Sequence, residues 1–173
     1  MRNAKDSMAE ELIRIGISGS ALVVAPEGHM TAALCPALSQ RLSAQLEPNA
    51  AIESLHFDYS GCRYMDSTFL GLIVSLSKKA QSLGIGKPVV HGADAQCMSL
   101  FRTMGMTGLL AFEASPCPKP ESMGTLSARD ALKASFILDA HRELMGLSPE
   151  NEERFRTLAG ALEDALREES ELF

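Results

Sequence analysis

From Leu12 onward Ile13, Ile15 and Ile17 alternate with Arg14 and Gly16, and a period of two predicts a strand that buries one face. Ser18-Gly19 reads as a tight turn into a second strand over Ser20 to Ala25, so a hairpin opens the chain. Pro26 to Thr31 reads as a loop. Pro36 suits the first turn of a helix whose Leu38, Leu42 and Leu46 recur at helical spacing until Pro48-Asn49 stops it. Leu55, Phe57 and Tyr59 predict a third strand, apolar enough for the middle of a sheet. It points at Tyr64-Met65-Asp66-Ser67-Thr68-Phe69-Leu70-Gly71, where a strand-like run breaks at two hydroxyl residues and an apolar helix begins. That helix carries Leu72, Ile73, Val74 and Leu76 and ends near Lys78-Lys79 and Gly84, where cations and glycine favour a C-terminus. Lys87 to Gly92 supplies a short strand. Asp94 caps a helix with Cys97, Leu100, Phe101 and Met104, closed by Gly105, and Leu109 to Phe112 forms a last strand.

This order predicts an α/β fold, a mixed sheet packed with helices and paired in parallel across the later crossovers. Ser115 to Glu121 holds three prolines in five residues, which neither a helix nor a central strand accommodates. The chain therefore divides into a main domain over residues 1–114, a proline-rich linker over 115–125 and a C-terminal helical pair over 126–173. In the pair, Ser127 to Asp130 reads as a capped start for a stripe of Leu132, Phe136, Ala140 and Leu144, stopped by Gly146. Ser148-Pro149-Glu150 then starts a second helix with Phe155, Leu158, Leu162 and Leu166 on one side. These stripes need a partner surface, which the main domain or a second copy of the chain would equally provide.

Composition fits one globular core with an extension: 46% apolar, 22% charged, no Trp. A net charge of -6 without a basic stripe argues against a nucleic-acid partner. From Ser148 to the end, eight carboxylates face three arginines, so most of the charge sits in the tail. The polar start Met1 to Ser7 lacks a signal-peptide core, and Phe69 to Leu76 falls far short of the roughly 20 residues of a membrane span. A cytoplasmic protein without membrane contact is expected. Cys35, Cys62, Cys97 and Cys117 are scattered without a paired motif, which predicts free thiols, three of them buried, rather than a disulfide framework or zinc site.

Catalytic motifs are missing: there is no phosphate loop, no zinc-binding His pair and no nucleophile elbow. His29, His56, His91 and His141 lie far apart on different predicted elements, and each reads as a surface or strand histidine. No enzyme, metal or cofactor is expected. The chemistry that remains is at Ser67. A hydroxyl at a helix N-terminus serves as a cap, and a phosphate there would meet free amides and the positive end of the helix dipole.

Leu55 to Gly71, with its acidic-hydroxyl pair between a strand and a helix, resembles the STAS domain of bacterial anti-sigma-factor antagonists. The resemblance extends over residues 10 to 113, including Gly28 to Thr31 and Leu100 to Leu109. It implies that Ser67 is phosphorylated by an anti-sigma factor that is also a serine kinase, with Thr68 the secondary acceptor and Asp66 holding the turn. The unphosphorylated domain would bind that factor and release sigma, and a Ser/Thr phosphatase would reset it. Gly28, His29, Met30, Thr31, Tyr64, Met65, Asp66, Ser67, Thr68 and Phe69 would form the partner-binding set. The family's pattern has glycine where this chain has Phe69, a residue suited either to the core or to an altered partner surface. The expectation is a non-enzymatic, phosphorylation-controlled switch in bacterial transcription, with a homodimer through the C-terminal helices as a further expectation. A constitutive scaffold or dimerisation module, with Ser67 only a cap, and a small-ligand-binding sensor are the alternatives.

Overall fold

The structure, a computed structural model, describes residues 11–127, 129 and 131–173. The polar start and the helix-start residues Ala128 and Asp130 lie outside the described residues. A hairpin opens the fold, β1 (Leu12–Ser18) pairing antiparallel with β2 (Ala21–Met30) around Gly19, whose φ of 62° fits the turn. A short 3-10 turn (Ala32–Leu34) leads into α1 (Cys35–Gln45), and then follow β3 (Ser54–Asp58), β4 (Cys62–Met65), α2 (Ser67–Ser82), β5 (Val89–His91), α3 (Ala95–Thr103) and β6 (Ala111–Glu113). The chain ends with β7 (Met123–Leu126), α4 (Ala134–Met145) and α5 (Pro149–Glu171). Strand order is β6-β5-β3-β2-β1-β7, with β4 beside the far end of β2. The crossover pairs β2–β3, β3–β5 and β5–β6 are parallel, as the strand-helix alternation requires.

Three sequence readings need correction. Pro26 to Met30 is not a loop: β2 continues through it because β4 offers a second parallel partner, aligning His29 with Tyr64 and Met30 with Met65. The register shifts between Gly28 and His29, and Gly28 takes a φ of 80° that a side chain would resist. β4 itself escapes the pattern because its burial runs buried, exposed, exposed, buried, without the period of two. Finally, the stretch read as a linker runs into β7, which pairs antiparallel with β1, Ile13 opposite Leu126 and Gly16 opposite Met123. Gly16 makes this possible: a Cβ there would lie 2.6 Å from the Ser122 carbonyl oxygen.

Ile13, Leu22, Val24, Leu55 and Phe57 from the strands meet Leu38, Leu42, Phe69, Ile73 and Phe101 from the helices in one core. Ile17, expected inside, is half exposed at the strand end. The C-terminal pair joins this core through Leu144 and Phe155: α4 packs on α2, and α5 packs on α4. α4 begins at Ala134, four residues past the expected capping stretch, with Lys133 at the N-cap position and no side-chain cap, and Leu132 lies outside it. α5 starts as read, Ser148 accepting from the Asn151 amide with Pro149 in the first turn. Its buried positions are Asn151, Phe155 and Ala159, whereas Leu158 faces outward.

Phe69 is fully buried in the first turn of α2, which makes it a core residue. Phe69→Ala is expected to cost about 3–5 kcal/mol, read from the chemical denaturation midpoint; a loss below about 1 kcal/mol would place the ring outside the core.

Candidate functional site

β2 and β4 run side by side and stop at the same level, so Gly28 to Thr31 and Tyr64 to Phe69 converge at one end of the sheet. Asp66 fastens this end. Its amide donates to the Met30 carbonyl at 2.9 Å. Its carboxylate accepts from the Phe69 amide at 2.9 Å through one oxygen and from the Ala32 amide at 2.7 Å through the other. Asp66 is extended (φ -80°, ψ 171°) and is the N-cap of α2, because only a residue outside the helix can fold its side chain over the third helical amide. The expectation that Ser67 caps the helix is thus corrected. Ser67 is the first helical residue, and its hydroxyl turns sideways.

Of the ten residues expected at a partner surface, His29 and Tyr64 present side chains to solvent, with rings edge to face at 6.0 Å. Thr31, Asp66 and Ser67 are half-buried. Met30, Met65, Thr68 and Phe69 are buried, and Gly28 lies within β2, so these five shape the surface from beneath. Burial also makes the Thr68 hydroxyl the poorer acceptor of any modification.

The hydroxyl of Ser67 meets α4. Its Oγ lies 2.8 Å from His141 Nε2, while His141 Nδ1 lies 2.7 Å from the Ile137 carbonyl. A carbonyl only accepts, so Nδ1 carries the proton and Nε2 accepts from Ser67. The ring is buried and edge-on to Phe155 at 5.0 Å. A serine activated as nucleophile has its imidazole oriented by a group that stabilises the charged ring, often a carboxylate; here a neutral carbonyl holds the ring. Along the same helix, a Cβ on Gly71 would lie 2.1 Å from the Ala140 carbonyl oxygen, and Lys78 Nζ is 2.5 Å from Glu143 Oε2. Between α1, α2 and α4 lies an open groove of about 500 Å³ lined by Ser39, Leu72, Ser75, Phe136, Asp139 and Glu143, among others; neither Ser67 nor His141 lines it.

The histidines are not isolated, contrary to the sequence reading. Parallel pairing of β3 and β5 stacks His56 on His91, His56 Nδ1 lying 2.9 Å from His91 Nε2. His91 Nδ1 faces the Ser115 carbonyl at 2.8 Å and so carries its proton, which leaves Nε2 to accept from His56. Ser54 Oγ closes the chain at 3.0 Å from His56 Nε2. Both rings are satisfied as neutral imidazoles. Burial first, and then the neighbouring His91, lower the His56 pKa from its ordinary 6.5. Cys35, Cys62 and Cys97 are buried free thiols; burial, followed by the Asp66 charge, pushes Cys35 well up, while burial, followed by Asp58, pushes half-buried Cys117 up to about 11. For Cys35 and Cys117 this is opposite to the shift a reactive thiolate needs, whereas the hydrogen bond with Cys97 lowers the Cys62 pKa. Among the described residues, no cluster of three His, Cys, Asp or Glu is placed to hold a metal ion, and no helix is long and apolar enough to cross a membrane.

The mixed sheet, the helices packed on it and the capped strand-to-helix junction define a STAS-type domain. The chain belongs to the STAS domain family, residues 13–111 matching the model described as Mlab, STAS domain. Its fold is similar to that of the anti-sigma factor antagonist SpoIIAA in its unphosphorylated form, at 12% identity and a TM-score of 0.52 over 59% of this chain and 88% of that one. It is also similar to a variant of RsbS from Moorella thermoacetica, at 20% identity and a TM-score of 0.50 over 60% of this chain and 87% of that one. No curated protein sequence matches the chain. At these identities the structural likeness concerns the fold.

Asp66→Ala removes both amide contacts and is expected to cost about 2 kcal/mol, the upper end for a lost cap; urea denaturation reads this, and a change below about 0.5 kcal/mol would show that the junction stands without the carboxylate. Folded His56, with its pKa lowered, binds fewer protons than the unfolded chain as pH falls below the ordinary 6.5. Its contribution to stability is complete above that value and declines as pH drops toward the folded value. The urea midpoint should fall between pH 7.5 and pH 5.5, and fall less in His56→Gln; equal drops in the two proteins would remove His56 from the effect.

Proposed function

We propose that the chain is an anti-sigma factor antagonist: a non-enzymatic, cytoplasmic protein-binding switch whose partner face is the junction around Ser67. The observation that carries the reading is the position of Ser67 as the first residue of α2, beside the ends of two parallel strands that hold the exposed pair His29 and Tyr64. First-turn amides lack intrahelical partners, and the dipole favours negative charge there. The fold likeness to SpoIIAA, a protein described as an anti-sigma factor antagonist, supports the same reading.

In this reading the partner is an anti-sigma factor with serine kinase activity, and a Ser/Thr phosphatase restores the hydroxyl. Unphosphorylated, the face binds the anti-sigma factor. Phosphate brings about -1.5 to -2 charges and tightly held water. A face that must shed that water on docking loses affinity, and about 1.4 kcal/mol already means tenfold.

Incubation of the full chain with the serine kinase encoded in the same regulatory system should place one phosphate on Ser67, mapped by mass spectrometry, and Ser67→Asp should weaken binding to that kinase. An active kinase that leaves both Ser67 and Thr68 unmodified would overturn the switch and leave a constitutive binding module.

A further inference from the structure

Ser67, Gly71 and Lys78 stand four and seven residues apart on α2 and therefore share one face of that helix. α4 covers this face along its length. Ser67 donates to His141, the backbone of Ala140 sits where a Gly71 side chain would be, and Lys78 pairs with Glu143. α5 clamps the arrangement from behind, through Phe155 against the His141 ring. Asn151, wholly buried, donates to the carbonyls of Leu144 and Met104, which ties the helical pair to the end of α3.

The way this pair is attached differs from the way it is seated. β7 is locked into the sheet, but between it and α4 the described residues Ser127, Arg129 and 131–133 lie in neither helix nor strand, and Arg129 pairs with Glu11 at the exposed surface. Extended, seven residues reach about 25 Å, enough to let α4 and α5 leave α2 while β7 stays in place.

We propose that the α4–α5 pair is an internal cover: it occupies in cis the α2 face that adjoins the proposed partner junction, and it shields Ser67. The proposal rests on the reading of Ser67 as the modified residue. Its chemistry is exclusive. Phosphoryl transfer from a nucleoside triphosphate on the kinase forms the bond from Ser67 Oγ to phosphorus, breaks that phosphorus from the leaving diphosphate and releases the hydroxyl proton. The hydrogen given to His141 is gone, and the phosphoryl group needs the space the ring fills at 2.8 Å. A covered Ser67 is therefore unmodified, and a modified Ser67 is uncovered. The partner that replaces α4 presents a helix with a small residue against Gly71, an acidic group toward Lys78 and an apolar patch in place of Leu138 and Leu144.

The test uses the full chain with Ser67→Cys and a bulky maleimide reagent, the labelled position being identified by peptide mapping because the native thiols are buried or half-buried. Gly71→Ala, favourable for α2 itself, forces the Ala140 backbone away. Labelling at position 67 should become about tenfold faster or more, the factor equal to ~1.4 kcal/mol of lost docking. Asn151→Ala should accelerate it as well without touching α2, and this variant carries the comparison if thermal melting shows that Gly71→Ala disrupts the sheet. Rates within about twofold of one another in the three backgrounds, where a real opening equal to ~1.4 kcal/mol gives tenfold, overturn the cover. The rate ratio decides this whether or not a kinase acts on Ser67: a chain that opens on substitution yet never accepts phosphate loses the switch and keeps the cover.

Discussion

The junction depends on one carboxylate. Asp66 follows β4, caps α2 and reaches across to the first amide of the 3-10 turn after β2, so three elements that would otherwise meet only by packing are tied to one residue. The amides it satisfies lie at partly buried positions, where an unmade hydrogen bond costs about 1–3 kcal/mol. Everything placed on α2 inherits this registration. Ser67 faces α4 rather than the core because the residue before it is held extended, and Phe69 enters the core because it lies two positions further round the same turn.

The local grammar of the fold was legible in the chain. Asp94 and Ser148 cap their helices as their positions suggest, Leu38 and Leu42 face inward, and the crossovers run parallel. What escaped depends on contacts between distant residues. β4 is recognisable only from its neighbour β2, since Arg63 and Tyr64 both face outward and break the alternation. β7 hides after a proline-rich stretch because those prolines precede the strand instead of lying within it. His56 and His91 are stacked by a strand register that neither segment encodes alone, and Ser67 and His141 are 74 positions apart. The glycines at 16 and 71 were the available signals: each sits where another backbone approaches closely, a role glycine fills in strands and helices alike.

The two halves of the C-terminal extension are held by different forces. β7 adds a ladder of main-chain hydrogen bonds to β1, whereas α4 and α5 are held by side-chain packing along α2 and by an apolar seam that includes Leu138, Leu144 and Phe155. The acidic tail of α5 projects past its last buried residue, Ala159. Beyond it the helix carries five carboxylates and one arginine, with Glu163 paired to Arg142 of α4.

Placement of β7 on β1 also settles how the sheet meets other molecules. An open strand is a template for any extended chain, and β1, with seven residues, would have been a long one. β7 takes over that border with only four residues, and the opposite border is β6, three residues long. Neither offers a neighbour a useful ladder. Short margins of this kind discourage assembly by sheet growth at both ends of the sheet.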